Sequence, residues 1–373
     1  MFQDNGIIWH DPTPYALPFF RSGDPNYLIE SVRSPSNFVP KLRKLRKERV
    51  SLPGSIFELK KEEALSIVRK DNRNEKSADG MTVASKIEVL AAAAFKAYSV
   101  CRLCGWECGL NRFRLQGKCG LGSKGFISRP FVHIAEESPI NAAIVANLGG
   151  CGLNCVYCIA DRIVHHFEGQ STIDADGFWQ MIIADMTRYQ QDIPINTLEF
   201  TNPTENLASV IELLTKAPEC VSLPIVFNCH LYGTQEFYEL ASPVVDVWLM
   251  DLRHCEPCAQ ELSGVRGYMQ RAEEGMTAIL KDPHSRVIVR LLIIPGHVDC
   301  CIASSIELLA QFKHKDQLFI SVMDQYVPTV KLGSHPELDR RPSHDEIEKA
   351  RLMVRQSGLK DIEIEAGDFW KRV

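Results

Sequence analysis

From about residue 140 onward, short apolar runs alternate with amphipathic stretches. The runs are 142–148, 196–200, 224–228, 246–251, 287–293 and 318–323. Each has the length and continuous apolar character of a strand buried on both faces. Helix-periodic stretches lie between or after them, at 175–189, 206–217, 301–312 and 344–358. Crossovers of this size are what parallel neighbours require, so the pattern predicts an α/β fold with six parallel strands. The pattern leaves open a partial barrel or an open, doubly wound sheet. In either, ligands bind at the carboxyl ends of the strands.

The first hundred residues read differently. Pro12, Pro14, Pro18, Pro25, Pro35, Pro40 and Pro53 make continuous helix unfavourable before position 54. A basic run, KLRKLRKER at 41–49, reads as the solvated face of a short helix rather than a docking patch for an acidic partner. The Ala-rich stretch 85–98 predicts a helix with Ile87, Leu90, Ala91, Ala94 and Phe95 on one stripe. Three regions follow: an extension of mixed coil and helix over 1–100, a Cys-rich segment over 101–135, and the strand-rich body over 136–373.

Composition narrows the function. With 45% hydrophobic and 24% charged residues over 373 positions, the chain is ordinary globular protein. The formal charge of -5 provides no general attraction to nucleic acid or anionic lipid. No apolar run approaches a membrane span, and the opening MFQDNGIIWH lacks the features of a signal peptide, so cytoplasmic localisation is expected. Among reduced thiols, thirteen cysteines point to metal or redox chemistry rather than disulfides.

Their spacing carries the chemistry. At the end of the first strand, LGGCGLNCVYCIA places Cys151, Cys155 and Cys158 in a C-x3-C-x2-C loop. Three thiolates leave a tetrahedral structural zinc site one ligand short, whereas they can hold three corners of an iron-sulfur cubane and leave one iron open. Gly149, Gly150 and Gly152 let the backbone turn tightly around such a group.

This loop, with Tyr157 just before its last cysteine, resembles the radical S-adenosylmethionine superfamily. CRLCGWECGLNRFRLQGKCG (101–120), TNPTENL (201–207), VDVWLMDLRH (245–254), VRLLIIPGH (289–297), MDQYVP (323–328) and PELDRRPSHDE (336–346) are similar to the PflX group, relatives of pyruvate formate-lyase activating enzyme. The resemblance spans roughly residues 100–358. It implies a partial (β/α)6 barrel, a [4Fe-4S] cluster on Cys151, Cys155 and Cys158, and S-adenosylmethionine on the open iron. Reductive cleavage would yield a 5′-deoxyadenosyl radical that abstracts hydrogen from a substrate. A glycyl-radical protein, a peptide and a metabolite all remain open as that substrate, and a flavodoxin- or ferredoxin-type protein is implied as electron donor.

The resemblance also assigns individual residues. Tyr157 would lie beside the adenine. Asn202 stands where the superfamily has an acid for the methionine ammonium, with Glu199 and Glu205 close in sequence. Asn228 ends strand three and Asp251 ends strand four, where relatives hold the cofactor carboxylate or a monovalent cation; Cys229 replaces a hydroxyl residue there. Arg253 is an alternative partner for Asp251. Arg290 interrupts strand five and must find an anion, either the cofactor carboxylate or Asp251. Tyr326 would face the ribose.

Cys101, Cys104, Cys108 and Cys119 form a second set, C-x2-C-x3-C-x10-C, sufficient for an auxiliary iron-sulfur cluster or for zinc. Cys255 and Cys258 read as surface cysteines near Pro257, and Cys220, Cys300 and Cys301 as small packing residues. His165 and His166 read as loop histidines, and Glu136 and Glu137 as a solvated turn. The competing class is non-catalytic, an iron-sulfur electron carrier or binding module. The polar strand ends at Asn228, Asp251 and Arg290 favour the enzyme.

Overall fold

The structure, a computed structural model, describes residues 38–70, 81–134, 137–189, 193–312, 317–329, 335–366 and 369–370, with the backbone of 3–4 and 7–8. The prolines from 12 to 35 lie outside the described residues. Six parallel strands form where the apolar runs predict them: β1 (Ala143–Asn147), β2 (Thr197–Thr201), β3 (Ile225–Cys229), β4 (Val247–Asp251), β5 (Arg286–Leu292) and β6 (Leu318–Met323). They lie side by side in chain order, with Phe131–His133 antiparallel at the β1 edge and Lys360–Asp361 parallel beside β6. The protein is therefore α/β with one large, mostly parallel sheet.

Alternation along the strands separates two cores. Trp248 and Met250 of β4, Val287, Val289 and Leu291 of β5, and Leu318, Ile320 and Val322 of β6 join the large core under the helices. Their chain neighbours Val247, Leu249, Ile288 and Phe319 turn to the opposite face. There they meet Val226, Ile140, Ile362, Phe369 and Trp370, with Phe38 packed against them. Further along the same face, two residues on from these apolar positions, stand Asn228, Asp251, Arg290 and Ser321. One face of the sheet is thus apolar at one end and polar at the carboxyl end.

The two edges of the strand series approach each other over that face. Ser321 on β6 donates to Glu137, just before β1, at 3.0 Å, and the Trp370 indole donates to the Pro139 carbonyl at 2.9 Å. Glu137 is completely buried, which corrects the solvated turn expected there; Glu136 lies outside the described residues. The cause is long-range, since nothing local to the EES sequence requires burial.

Helices complete the body. α1 (Lys41–Lys47) buries Leu42 and Leu45, and its Lys41 reaches Asp282 at 2.9 Å, so part of the basic run is tied to the body. α2 (Lys61–Arg69) and α3 (Lys86–Ala97) follow. A capping box starts α3: the Ser85 hydroxyl accepts from the Glu88 amide, and the Glu88 carboxylate accepts from the Ser85 amide at 2.6 Å. The expected single apolar stripe is too narrow for this helix. Val89, Ala92 and Ala93 are buried as well, because α3 packs against α1 and α2 and also against a helix of the sheet layer. Its alanines permit that close approach.

The connecting helices are α4 (Ala175–Tyr189), α5 (Pro203–Thr215), α6 (Gln235–Ala241), α7 (Glu256–Ser263), α8 (Tyr268–Leu280), α9 (Ala303–Ala310) and α10 (His344–Ser357). The predicted helix at 301–312 begins differently, with a π-helical turn over Val298–Ile302 before α9. No helix among the described residues is long and apolar enough to cross a membrane.

Gly275 lets α8 close on α6. A Cβ there would stand 2.7 Å from the ring and hydroxyl of the fully buried Tyr238. Gly275→Ala would gain about 1 kcal/mol of helix propensity and lose about 1–3 kcal/mol to overpacking. We expect a lower urea midpoint with an unchanged slope; a raised midpoint would contradict the packing account.

Candidate functional site

The cysteine loop leaves the end of β1 over the polar end of the sheet. Gly150 adopts φ +83°, and a Cβ there would strike Leu121 at 2.4 Å and the Cys119 carbonyl at 3.1 Å, so the backbone comes close to the neighbouring segment only because glycine is present. Asn206 donates to the Gly149 carbonyl at 2.7 Å and Gly152 donates to Glu205 at 2.9 Å, which hang the loop on the first turns of α5. Cys151, Cys155 and Cys158 are close enough for one thiol's charge to raise the pKa of another. Burial first, then Glu205, pushes the Cys151 thiol well up. Burial, then Cys155, takes Cys158 up to about 11. Such thiols stay protonated until a cation displaces the proton.

The segment from Cys101 to Cys119 packs directly on this loop. Trp106 donates its indole N–H to the Gly152 carbonyl at 2.6 Å. Cys108 and Cys119 both present their sulfurs to Gly117, at 3.7 and 3.4 Å from where its Cβ would be. Arg112 is buried against Cys101, with its guanidinium 3.9 Å from the centre of the Tyr98 ring and donating to the Glu205 carbonyl at 2.7 Å. A buried cation facing thiols suits an anionic, metal-bound state of those sulfurs. Glu205 stands between the two cysteine sets. Its carboxylate accepts from Gly152 and contacts His230 Nε2 at 3.1 Å, so it is engaged within the protein rather than presented at the strand ends.

The polar strand ends form a connected set. Arg290 Nε donates to Asp251 at 2.8 Å, and its other arm donates to Asn228 Oδ1 at 2.6 Å. Asn228 in turn donates to Glu199 at 2.8 Å. Arg253 forms a second ion pair with Asp251. Burial alone would raise the Asp251 pKa, but Arg253 and Arg290 overcome it and hold the carboxyl at about 2. Asp251 thus meets the arginine partners that the sequence offered as alternatives. Burial raises Glu137 although Arg290 pulls it back, and one of its oxygens has no hydrogen-bond partner among the described residues. The Arg253 Nε likewise has none.

The remaining predicted residues line the same region. The Tyr157 hydroxyl contacts His254 Nε2 at 2.7 Å, and its ring lies 5.9 Å from that of Tyr326. Tyr326 donates to the Leu338 carbonyl at 2.9 Å. Asn202 sits at φ +56° before Pro203, a left-handed conformation that asparagine tolerates, and its Nδ2 donates to the Gly150 carbonyl at 3.4 Å. His166 is on the surface, 3.6 Å from Asp161. Two residues missed from sequence join this set: His254 contacts Ser263 at 2.8 Å, and Ser263 contacts the Cys155 sulfur at 3.0 Å. Burial, then Arg253 and His297, holds His254 down at about 3, so it is neutral at pH 7.

The structure corrects the reading of further cysteines: Cys220 is exposed rather than packed in the core. Cys255 and Cys258 are buried rather than superficial, and with Cys300 and Cys301 they form a group whose sulfurs all lie within 4.8 Å of one another.

No family model matches the chain. It is similar to the uncharacterized protein MJ0674 of Methanocaldococcus jannaschii, with 28% identity over 263 residues, 69% of this chain and 75% of that protein. Among solved structures it is similar to TYW1 with a lysine-pyruvate adduct bound, at 11% identity and a TM-score of 0.35, covering 58% of this chain and 74% of that one.

Asp251 yields a pH prediction. Its folded pKa lies below the ordinary value of about 3.9, so its contribution is present above pH 4 and is lost as pH falls toward 2. Asp251→Asn removes the carboxylate that both guanidinia share and should cost about 3–5 kcal/mol near neutrality. Denaturant titrations should show the gap to wild type narrowing below pH 4; a gap independent of pH would contradict the pairing.

Proposed function

We propose that this chain is a radical S-adenosylmethionine enzyme of the kind its motifs resemble, the PflX group. The observation that carries the reading is the glycine-bent loop of Cys151, Cys155 and Cys158 at the carboxyl end of β1, set beside buried polar side chains from β2 to β6. We also infer that the sheet is a partial barrel. The sequential strand order, the enclosed apolar floor and the contacts of Glu137 and Pro139 with Ser321 and Trp370 support that inference.

The residues present fit the two groups the reading requires. The three thiols would hold a [4Fe-4S] cluster, and Arg253, close to Cys158 and with an Nε that no described residue engages, places positive charge beside it. Bound together, cluster and S-adenosylmethionine supply a one-electron cleavage that yields a hydrogen-abstracting 5′-deoxyadenosyl radical.

The chain's own residues do the rest. Asp251 acts as a positioning residue that orients Arg253 and Arg290, leaving the guanidinia to meet a carboxylate. Asn202, at the edge of the loop, would offer its amide oxygen to an ammonium group. Tyr157, braced by His254, and Tyr326 form an apolar wall suited to an adenosine moiety and exclude water from it. Ser263 touches the Cys155 sulfur and fixes its rotamer. The Cys101–Cys119 set, backed by Arg112, would hold an auxiliary iron-sulfur cluster or zinc. A flavodoxin- or ferredoxin-type protein would deliver the electron in a reducing cytoplasm.

Anaerobically reconstituted protein with dithionite should convert S-adenosylmethionine to methionine and 5′-deoxyadenosine, and Cys155→Ala should reduce this to background. A fully loaded cluster that forms no 5′-deoxyadenosine would overturn the reading in favour of an electron carrier or binding module.

A further inference from the structure

Cys255, Cys258, Cys300 and Cys301 belong to neither cysteine motif discussed above. Cys255 is the N-cap of α7 and Cys258 lies in its first turn. Cys300 and Cys301 lie in the π-helical turn that precedes α9. The two pairs therefore come from the connections that follow β4 and β5, which are neighbours in the sheet.

The geometry is that of ligands around one ion. Cys258 and Cys300 sulfurs are 3.9 Å apart, Cys300 and Cys301 3.8 Å, and Cys301 and Cys255 3.8 Å. With zinc–sulfur bonds of about 2.3 Å, the edges of a tetrahedron measure about 3.8 Å. A multinuclear cluster would spread its thiolates over several irons and so farther apart. Polar groups also face the sulfurs: the Cys255 amide donates to the Cys301 sulfur at 3.4 Å, and His297 Nδ1 lies 3.4 Å from Cys258 and 3.6 Å from Cys300. The amide N–H favours thiolate over thiol, as does the start of a helix, and His297 does so in the tautomer that carries its proton on Nδ1. Cys255, Cys258 and Cys301 are buried and Cys300 is partly so, which makes the site closed, with no position left for a substrate.

We propose that Cys255, Cys258, Cys300 and Cys301 bind a single structural zinc ion. Loading releases the four thiol protons to solvent and involves no electron transfer. The ion would clasp the β4–α7 connection to the β5–α9 connection. Its consequence for the cysteine loop is positional: His254, adjacent to Cys255, braces Tyr157, and Ser263 at the other end of α7 holds the Cys155 sulfur. The proposal stands independently of the enzymatic reading.

The test is metal analysis of the full-length chain, in which the seven cysteines of the other two motifs are retained throughout. Cys258→Ser combined with Cys300→Ser should remove one zinc per chain and leave iron unchanged, while Cys258→His should keep the zinc. Unchanged zinc in the double variant, or loss of iron instead, would overturn the assignment. A measurement on wild-type protein guards against a variant that fails to fold. Iodoacetamide mapping should find Cys255, Cys258, Cys300 and Cys301 protected until a zinc chelator is added. Equal alkylation with and without chelator, or disulfides among the four in freshly purified protein, would sink the proposal.

Discussion

A charge inside a sheet has to find its opposite, and Asp251 with its two arginines meets that constraint for the whole carboxyl rim. Asp251 and Arg290 lie in register on adjacent strands. Arg290 extends the connection to Asn228 on β3, and Asn228 extends it to Glu199 on β2. A polar chain thus crosses four strands. A slip of one residue would turn Arg290 into the aliphatic layer beneath the helices and leave Asp251 without its cross-strand partner. Register at the rim is consequently specified by electrostatics as well as by packing, and the rim's rigidity is available to whatever the cysteine loop holds above it.

Much of this was legible in the chain because the strands carry their information in period two. The apolar runs are continuous because the sheet is covered on both faces, and Asn228, Asp251 and Arg290 stand out within them because each interrupts an otherwise aliphatic run. Partnerships were less legible. Asp251 could have faced a ligand or an arginine on spacing alone, and the structure gives it Arg253 and Arg290. Glu137 illustrates the limit more sharply. Beside a second glutamate and before Ser-Pro it resembles an exposed turn, yet it is buried by Ser321, 184 residues away. Burial of that kind arises from how the sheet edges meet, and no local window records it.

The cysteines divide along the same line. The sets at 101–119 and 151–158 are local motifs, and their spacing announces them. The third group is assembled from two pairs, with Cys258 and Cys300 separated by 42 positions. A signal was nonetheless present. Each pair lies in the connection that follows a strand, and strands laid down in sequential order bring consecutive connections side by side. Residues in the connections after neighbouring strands are therefore candidates for contact, however far apart they are in number. Reading the pairs singly, as surface or packing residues, missed that relation.

The apolar floor under the polar rim has a temporal side. It is built from the inward residues of β3 to β6, but Phe369 and Trp370 come after β6, and Phe38 comes before β1. During synthesis on the ribosome the strands can pair and gain their helical cover while the floor still lacks two of its largest rings. A nascent chain would then hold an open apolar face until Phe369 and Trp370 emerge. The floor is thus closed by rings that translation delivers out of step with the strands they cover.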